Sequence, residues 1–105
     1  MPIKDNLDLY LAHLGFEREI RFPGRSGRRR WRWDYLKGRV AVEYHGIGVG
    51  HQSIGGTWRD HEKVTEGQLC GFLVVQCNVE SVRDGRCYEW VDAALEMDAN
   101  GEGRG

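Results

Sequence analysis

The sequence predicts a single α/β domain: a small β-sheet built around a central hairpin and flanked by helices, in the order αβββαβα. Three observations point there. The first residues carry leucines at helical spacing, two runs between Trp31 and Tyr44 alternate around a short basic turn, and a glycine-closed helical segment then leads into a short apolar strand and a last helix. A chain of 105 residues with 40% hydrophobic content supports one small core, so residues 1–97 form the expected domain and residues 98–105, DANGEGRG, a flexible tail.

Each element has its own justification. Asp5 or Asn6 can cap a first helix with Leu7, Tyr10, Leu11 and Leu14 on one face, closed by Gly15. Arg18–Phe22 alternates as a strand, and PGRSGRRR (Pro23–Arg30) is a breaker-rich, charged connection expected to be mobile without a partner. Trp31–Leu36 and Val40–Tyr44 are the hairpin strands, with Trp31, Trp33 and Tyr35 on an apolar face and Arg32 and Asp34 on a polar one. A glycine-rich loop, GIGVGHQSIGG, precedes a capping-box start at Thr57 and Asp60, and the helix runs to about Leu69 before Gly71. Phe72–Val75 is a strand reaching Gln76, and Val79–Met97 is helical, broken near Asp84 and Gly85.

Charge is unevenly placed. The net value is −1, but residues 18–39 hold nine of the fifteen basic residues (Arg18, Arg21, Arg25, Arg28, Arg29, Arg30, Arg32, Lys37, Arg39) against the acids Glu19 and Asp34. Such a local positive field suits a polyanion such as nucleic acid, with a solvated arginine loop as the plainer alternative. No stretch has the length of a membrane span or a signal peptide, so a soluble cytoplasmic protein is expected. Cys70, Cys77 and Cys87 are odd in number and lack CxxC spacing, which predicts reduced thiols in or near the core. Zinc binding by His45, His51, His61 and a cysteine lacks paired spacing.

Asp34 and Glu43 are the unexpected residues of the hairpin. With Lys37 and Gly38 as a two-residue turn, Asp34 faces Ala41 and lies diagonal to Glu43 on one face, with α-carbons roughly 7–8 Å apart. A four-residue loop would set them opposite, and a three-residue loop would put them on different faces. Carboxylates so placed can share one hydrated Mg²⁺ or Mn²⁺, which would activate a water toward a phosphodiester while nearby arginines hold the backbone. They can equally pair with neighbouring arginines such as Arg32.

Six stretches in order, REIRF (Arg18–Phe22), RRWRWDYL (Arg29–Leu36), VAVEYHGIG (Val40–Gly48), HQSIGG (His51–Gly56), RDHEK (Arg59–Lys63) and GFLVVQ (Gly71–Gln76), resemble the PD-(D/E)XK, or restriction-endonuclease-like, nucleases. The similarity is greatest to small phage and bacterial endonucleases and Holliday-junction resolvases. That resemblance implies a restriction-endonuclease-like core with a mixed sheet, and a metal-dependent DNA endonuclease specific for branched structures and working as a homodimer. It implies Asp34 and Glu43 as metal ligands and Glu19 as a further acid, although Glu19 can also pair with Arg18 or Arg21 on the surface. Where the family has lysine two positions after the second acid, this sequence has His45. Lys63 as a migrated lysine, or His45 itself as base or ligand, could fill the role, and Gln76 resembles a supporting position. Arg25, Arg28, Arg29, Arg30, Arg32 and His51 are the expected DNA contacts. Without the signature lysine, a nucleic-acid-binding module with an inactive site is the alternative, and a regulator whose arginine loop binds an acidic protein surface is a third.

Overall fold

The structure, a computed structural model, describes residues 3–46 and 54–101, with side chains from residue 59 onward in the second stretch. The order is α1 (Ile3–His13), β1 (Glu17–Phe22), β2 (Trp31–Lys37), β3 (Val40–His45), α2 (Ile54–Leu69), β4 (Leu73–Asn78), α3 (Val79–Arg83) and α4 (Arg86–Ala99). The strands form one mixed sheet in the order β1-β2-β3-β4, antiparallel except for the parallel β3–β4 pair. Every expected element is present, and the break near Asp84 and Gly85 divides the last helix into α3 and α4.

Helices cover both faces of the sheet. Leu7 and Leu11, four residues apart on α1, meet Tyr35, Val40, Val42, Val75, Val82 and Val91 in the larger core. Phe22, Trp33 and Ala41 form the smaller core on the other face, with Trp31, Leu36, Phe72 and Val74 around them. Gly67 of α2 meets this second face. A Cβ on Gly67 would stand 2.3 Å from Cζ2 of Trp33, so only glycine lets the helix lie flat on the indole.

Several expectations change at the level of single residues. The hairpin turn is Gly38–Arg39, one residue later than expected, because Lys37 pairs with Val40 and Leu36 with Ala41. Gly38 has φ +57 and Arg39 is not in the positive region, the pattern of a type II′ turn, which wants glycine first. The loop is still even, so Asp34 and Glu43 keep a common face, but they now stand directly opposite. The hairpin's alternation also fails to hold throughout: Trp31 and Trp33 pack in the smaller core whereas Tyr35 packs in the larger one. The switch falls at Asp34, which faces Glu19 across the β1–β2 register, and Glu19 has φ 53, a left-handed conformation that side chains rarely take.

Helix ends differ too. α1 starts at Ile3, which places Asp5 in its first turn rather than at the cap, and α2 starts at Ile54, ahead of Thr57. α4 continues to Ala99, past residue 97, and Asp98 accepts the Arg39 backbone N–H at 3.2 Å, fastening the end of the helix to the hairpin turn. The Pro23–Arg30 connection is tied to α2: the Arg25 N–H donates to Glu66 at 3.2 Å and Arg29 pairs with Glu62 at 2.7 Å. No described helix is long and apolar enough to cross a membrane.

The cysteines depart furthest from expectation. Cys77 at the end of β4 and Cys87 in the first turn of α4 form a disulfide with α-carbons 5.7 Å apart, while Cys70 is exposed. Spacing hid the pair, since it is the short α3 and the turn after it that bring the two ends together. The bridge closes a loop of sequence separation 10, for which chain entropy gives a stabilisation of about 3 kcal/mol. Denaturant unfolding with and without dithiothreitol should show a loss near that size, and Cys70→Ala should not change it.

Candidate functional site

The two central carboxylates do the work of strand backbone. Beyond the Tyr35–Val42 pair, the Asp34 N–H donates to Glu43 Oε2 at 2.7 Å and the Tyr44 N–H donates to Asp34 Oδ2 at 2.9 Å. Each side chain therefore takes a donor from the facing strand, which fixes both carboxylates by short, charge-assisted bonds. Glu43 is only 4% exposed. Asp34 is half-buried, and its Oδ1 accepts no hydrogen bond among the described residues.

Lys63 of α2 completes the group. Its ammonium pairs with Glu43 Oε1, donates to the Arg32 carbonyl at 2.9 Å and lies 5.4 Å from the centre of the Trp33 ring. The side chain is 14% exposed. Lys63 and Gly67 are four residues apart and so share a helix face, and the close approach at Gly67 brings the lysine within reach of β3. Lys63 thus pairs with an acid of the sheet and not with Asp60 or Glu66 of its own helix.

A cleft of about 380 Å³ opens over this group, lined by Asp34 and Lys63 with Arg21, Arg30, Arg32 and Arg59, together with Trp31 and Asp60. Five cations face two acids there, so the local field is positive in a chain of net charge −1. Of the arginines expected to meet DNA, Arg30 and Arg32 line the cleft; Arg21, Arg59 and Trp31 join them there without having been expected. Arg59 lies one helical turn before Lys63, and that spacing was the available signal.

The remaining candidates fall into different places. His45 and Gln76 meet each other, Nε2 to Oε1 at 3.2 Å, and Gln76 is the parallel partner of Glu43 in β4. Glu19 stands in line with Asp34 on β1, but its exposed carboxylate turns to Arg32 at 3.5 Å and does not join the pair. Arg25 approaches α2 through its backbone, the Arg28 N–H donates to Ser26 Oγ at 3.2 Å, and Arg29 lies 5.1 Å over Trp31 while paired with Glu62. His51 lies outside the described residues. No group of three or more His, Cys, Asp or Glu side chains is placed to hold a metal among the described residues.

Comparison with protein-family models, with curated proteins and with solved structures finds no match.

Burial pushes the Glu43 carboxyl above its ordinary value and the neighbouring Asp34 carboxylate adds to the rise, against the opposing pull of Lys63 and the Asp34 N–H. Folding thus raises the affinity of the Glu43 carboxyl for a proton relative to the unfolded chain. The stability Glu43 contributes is fully present below the ordinary carboxylate pKa and is lost as pH rises through the raised folded value. A carbon-13 titration of the Glu43 carboxyl should give a midpoint above 4.5, and Lys63→Met should move it further up. A midpoint at or below 4.5 would show that solvation or Lys63 outweighs burial.

Proposed function

We propose that the chain is a divalent-metal-dependent DNA endonuclease of the PD-(D/E)XK type, built on a restriction-endonuclease-like core and directed at branched DNA in the manner of a junction resolvase. The observation that carries this reading is the meeting of Asp34, Glu43 and Lys63 from three elements, with Asp34 and Lys63 lining an arginine-rich cleft. Asp34 and Glu43 are hard oxygen donors fixed in orientation, which suits Mg²⁺ or Mn²⁺. When bound, that ion supplies Lewis-acid activation of the attacking water and neutralises charge on the phosphate.

The chain's own residues supply the rest. Arg21, Arg30, Arg32 and Arg59 hold phosphate oxygens and set the register of the strand. Lys63, held between Glu43 and the Arg32 carbonyl, orients the attacking water and offsets charge at the reacting phosphate. It takes the role that a lysine at position 45 would have had. His45 instead lies against Gln76 and lends the site support from β4. Glu19 is assigned to holding Arg32 rather than to the ion.

Cutting a junction symmetrically calls for two sites related by a two-fold axis, so the working form in this reading is a homodimer in the cytoplasm of a bacterial or phage-infected cell. Trp90 and Met97 of α4 and Leu9 of α1 are large apolar side chains left exposed and are the places to seek its interface. A second reading, a binding module with an inactive site, draws on the histidine at the signature position and on the small number of metal donors. It expects binding without cleavage.

The deciding experiment is cleavage of synthetic branched and linear DNAs with Mg²⁺ or Mn²⁺. Asp34→Asn should abolish cleavage while DNA binding is retained or improved, because a carboxylate repels phosphate when no ion lies between them. Equal loss of binding and of folding would make Asp34 structural.

The lysine assignment has its own measurement. Lys63→Met should lower the single-turnover rate by roughly tenfold or more, on the scale of a positioned catalytic group, with binding held saturating. His45→Ala should cost less. A Lys63→Met variant that cleaves at the parent rate sinks the migrated-lysine assignment, and a lost acidic limb in the pH–rate profile of His45→Ala would move the role to histidine.

A further inference from the structure

The two tryptophans at the start of β2 have different surroundings. Trp33 is completely buried against Gly67, Phe22 and Phe72, and the packing of α2 on the sheet accounts for it. Trp31 is only half-buried, and part of it forms the wall of the cationic cleft beside Arg30 and Arg32. The ring is held from outside the cleft. Gly24 lies so close that a Cβ there would be 3.1 Å from Trp31 Nε1, and the Arg29 guanidinium sits 5.1 Å over the ring, itself tied to Glu62. The buried Nε1–H of Trp31, like that of Trp33, finds no acceptor among the described residues, so no internal hydrogen bond explains an indole at this position.

A fixed aromatic surface between arginines is what a single nucleic-acid strand binds: the cations follow the phosphates and the ring stacks a base. In a continuous duplex both faces of every base are covered by its neighbours, so only an unpaired base can lie on the Trp31 ring. We infer that Trp31 is the stacking platform for an unpaired DNA base, and that it makes the cleft selective for single-stranded segments, such as those at a branch or a gap, over continuous duplex. The inference takes its ligand, DNA, from the nuclease reading, but it requires binding alone.

The test is equilibrium binding by fluorescence anisotropy in EDTA at one fixed salt concentration, using the full chain, a short oligo-dT strand and a hairpin duplex with the same number of phosphates. The parent should bind the single strand more tightly. Trp31→Leu, which keeps apolar bulk but cannot stack, should weaken oligo-dT binding roughly tenfold or more, the order expected for losing one stacked base. Its duplex binding should be nearly unchanged, and Trp31→Phe should retain most of the preference. Circular dichroism and thermal melting establish that each variant folds. If Trp31→Leu is unfolded, the Trp31→Phe comparison and the parent's own preference decide.

A parent without preference for the single strand, or a Trp31→Leu variant that loses both DNAs equally or neither, overturns the inference. Since no metal is present, absence of Mg²⁺-dependent cleavage in a parent that keeps this Trp31-dependent preference would sink the nuclease reading alone. A parent that binds neither DNA overturns the inference, while the nuclease reading stands or falls on the cleavage assay.

Discussion

Glu43 is a carboxylate shut away from water in the middle of a sheet, and much of the surrounding architecture is what such a group requires. A buried charge is tolerated only when hydrogen-bond donors and an opposite charge replace its hydration. The donor is the Asp34 N–H, which the facing strand presents because the hairpin ladder opens beyond Tyr35 and Val42. The opposite charge is Lys63, which arrives from a helix rather than from the sheet. For that helix to come close enough it must meet Trp33 without a side chain between them, and Gly67 satisfies that condition. Three local oddities, a splayed hairpin, a half-buried lysine and a helical glycine, thus answer one electrostatic demand.

How far this could be read from the sequence follows the physical range of each feature. Hydrophobic period and glycine punctuation are local, and they brought out the helices, the four strands and the break at Gly85. The common face of Asp34 and Glu43 was legible because it needs only an even loop. The register was not, since Lys37-Gly38 and Gly38-Arg39 are both acceptable two-residue turns until glycine's preference for the first position of a II′ turn is applied. The change of face at Asp34 has no periodic signature, as it comes with a left-handed Glu19 on the neighbouring strand. The Cys77–Cys87 bridge was beyond reach for a similar reason: it depends on the path of α3, and the odd cysteine, Cys70, masked the pair.

Lys63 and the arginine loop show the same division in the site. That Lys63 could reach the hairpin was suggested by the order of motifs in the nuclease resemblance, but its partner was not, because Asp60 and Glu66 are nearer in sequence than Glu43. Burial decides between them. A surface pair on a helix contributes a few tenths of a kcal/mol, whereas leaving Glu43 buried without a cation costs several times more, so the lysine goes where the uncompensated charge is. The exposed acids of α2 are then left for other partners. Glu62 takes Arg29, and Glu66 takes the backbone of Arg25.

These outer contacts bear on how the positive field is used. Arg29–Glu62 and Arg32–Glu19 are exposed pairs, each of a kind that contributes about 0–1 kcal/mol. A phosphate offering a charge-assisted bond can therefore compete for either arginine at little cost to the fold. The Lys63–Glu43 pair is different, because separating it would strand a charge inside the sheet. The cleft accordingly has a fixed floor and exchangeable walls. Glu19 of β1 and Glu62 of α2 hold Arg32 and Arg29 without binding them tightly, whereas the carboxylate of Glu43 keeps its lysine whatever the arginines meet.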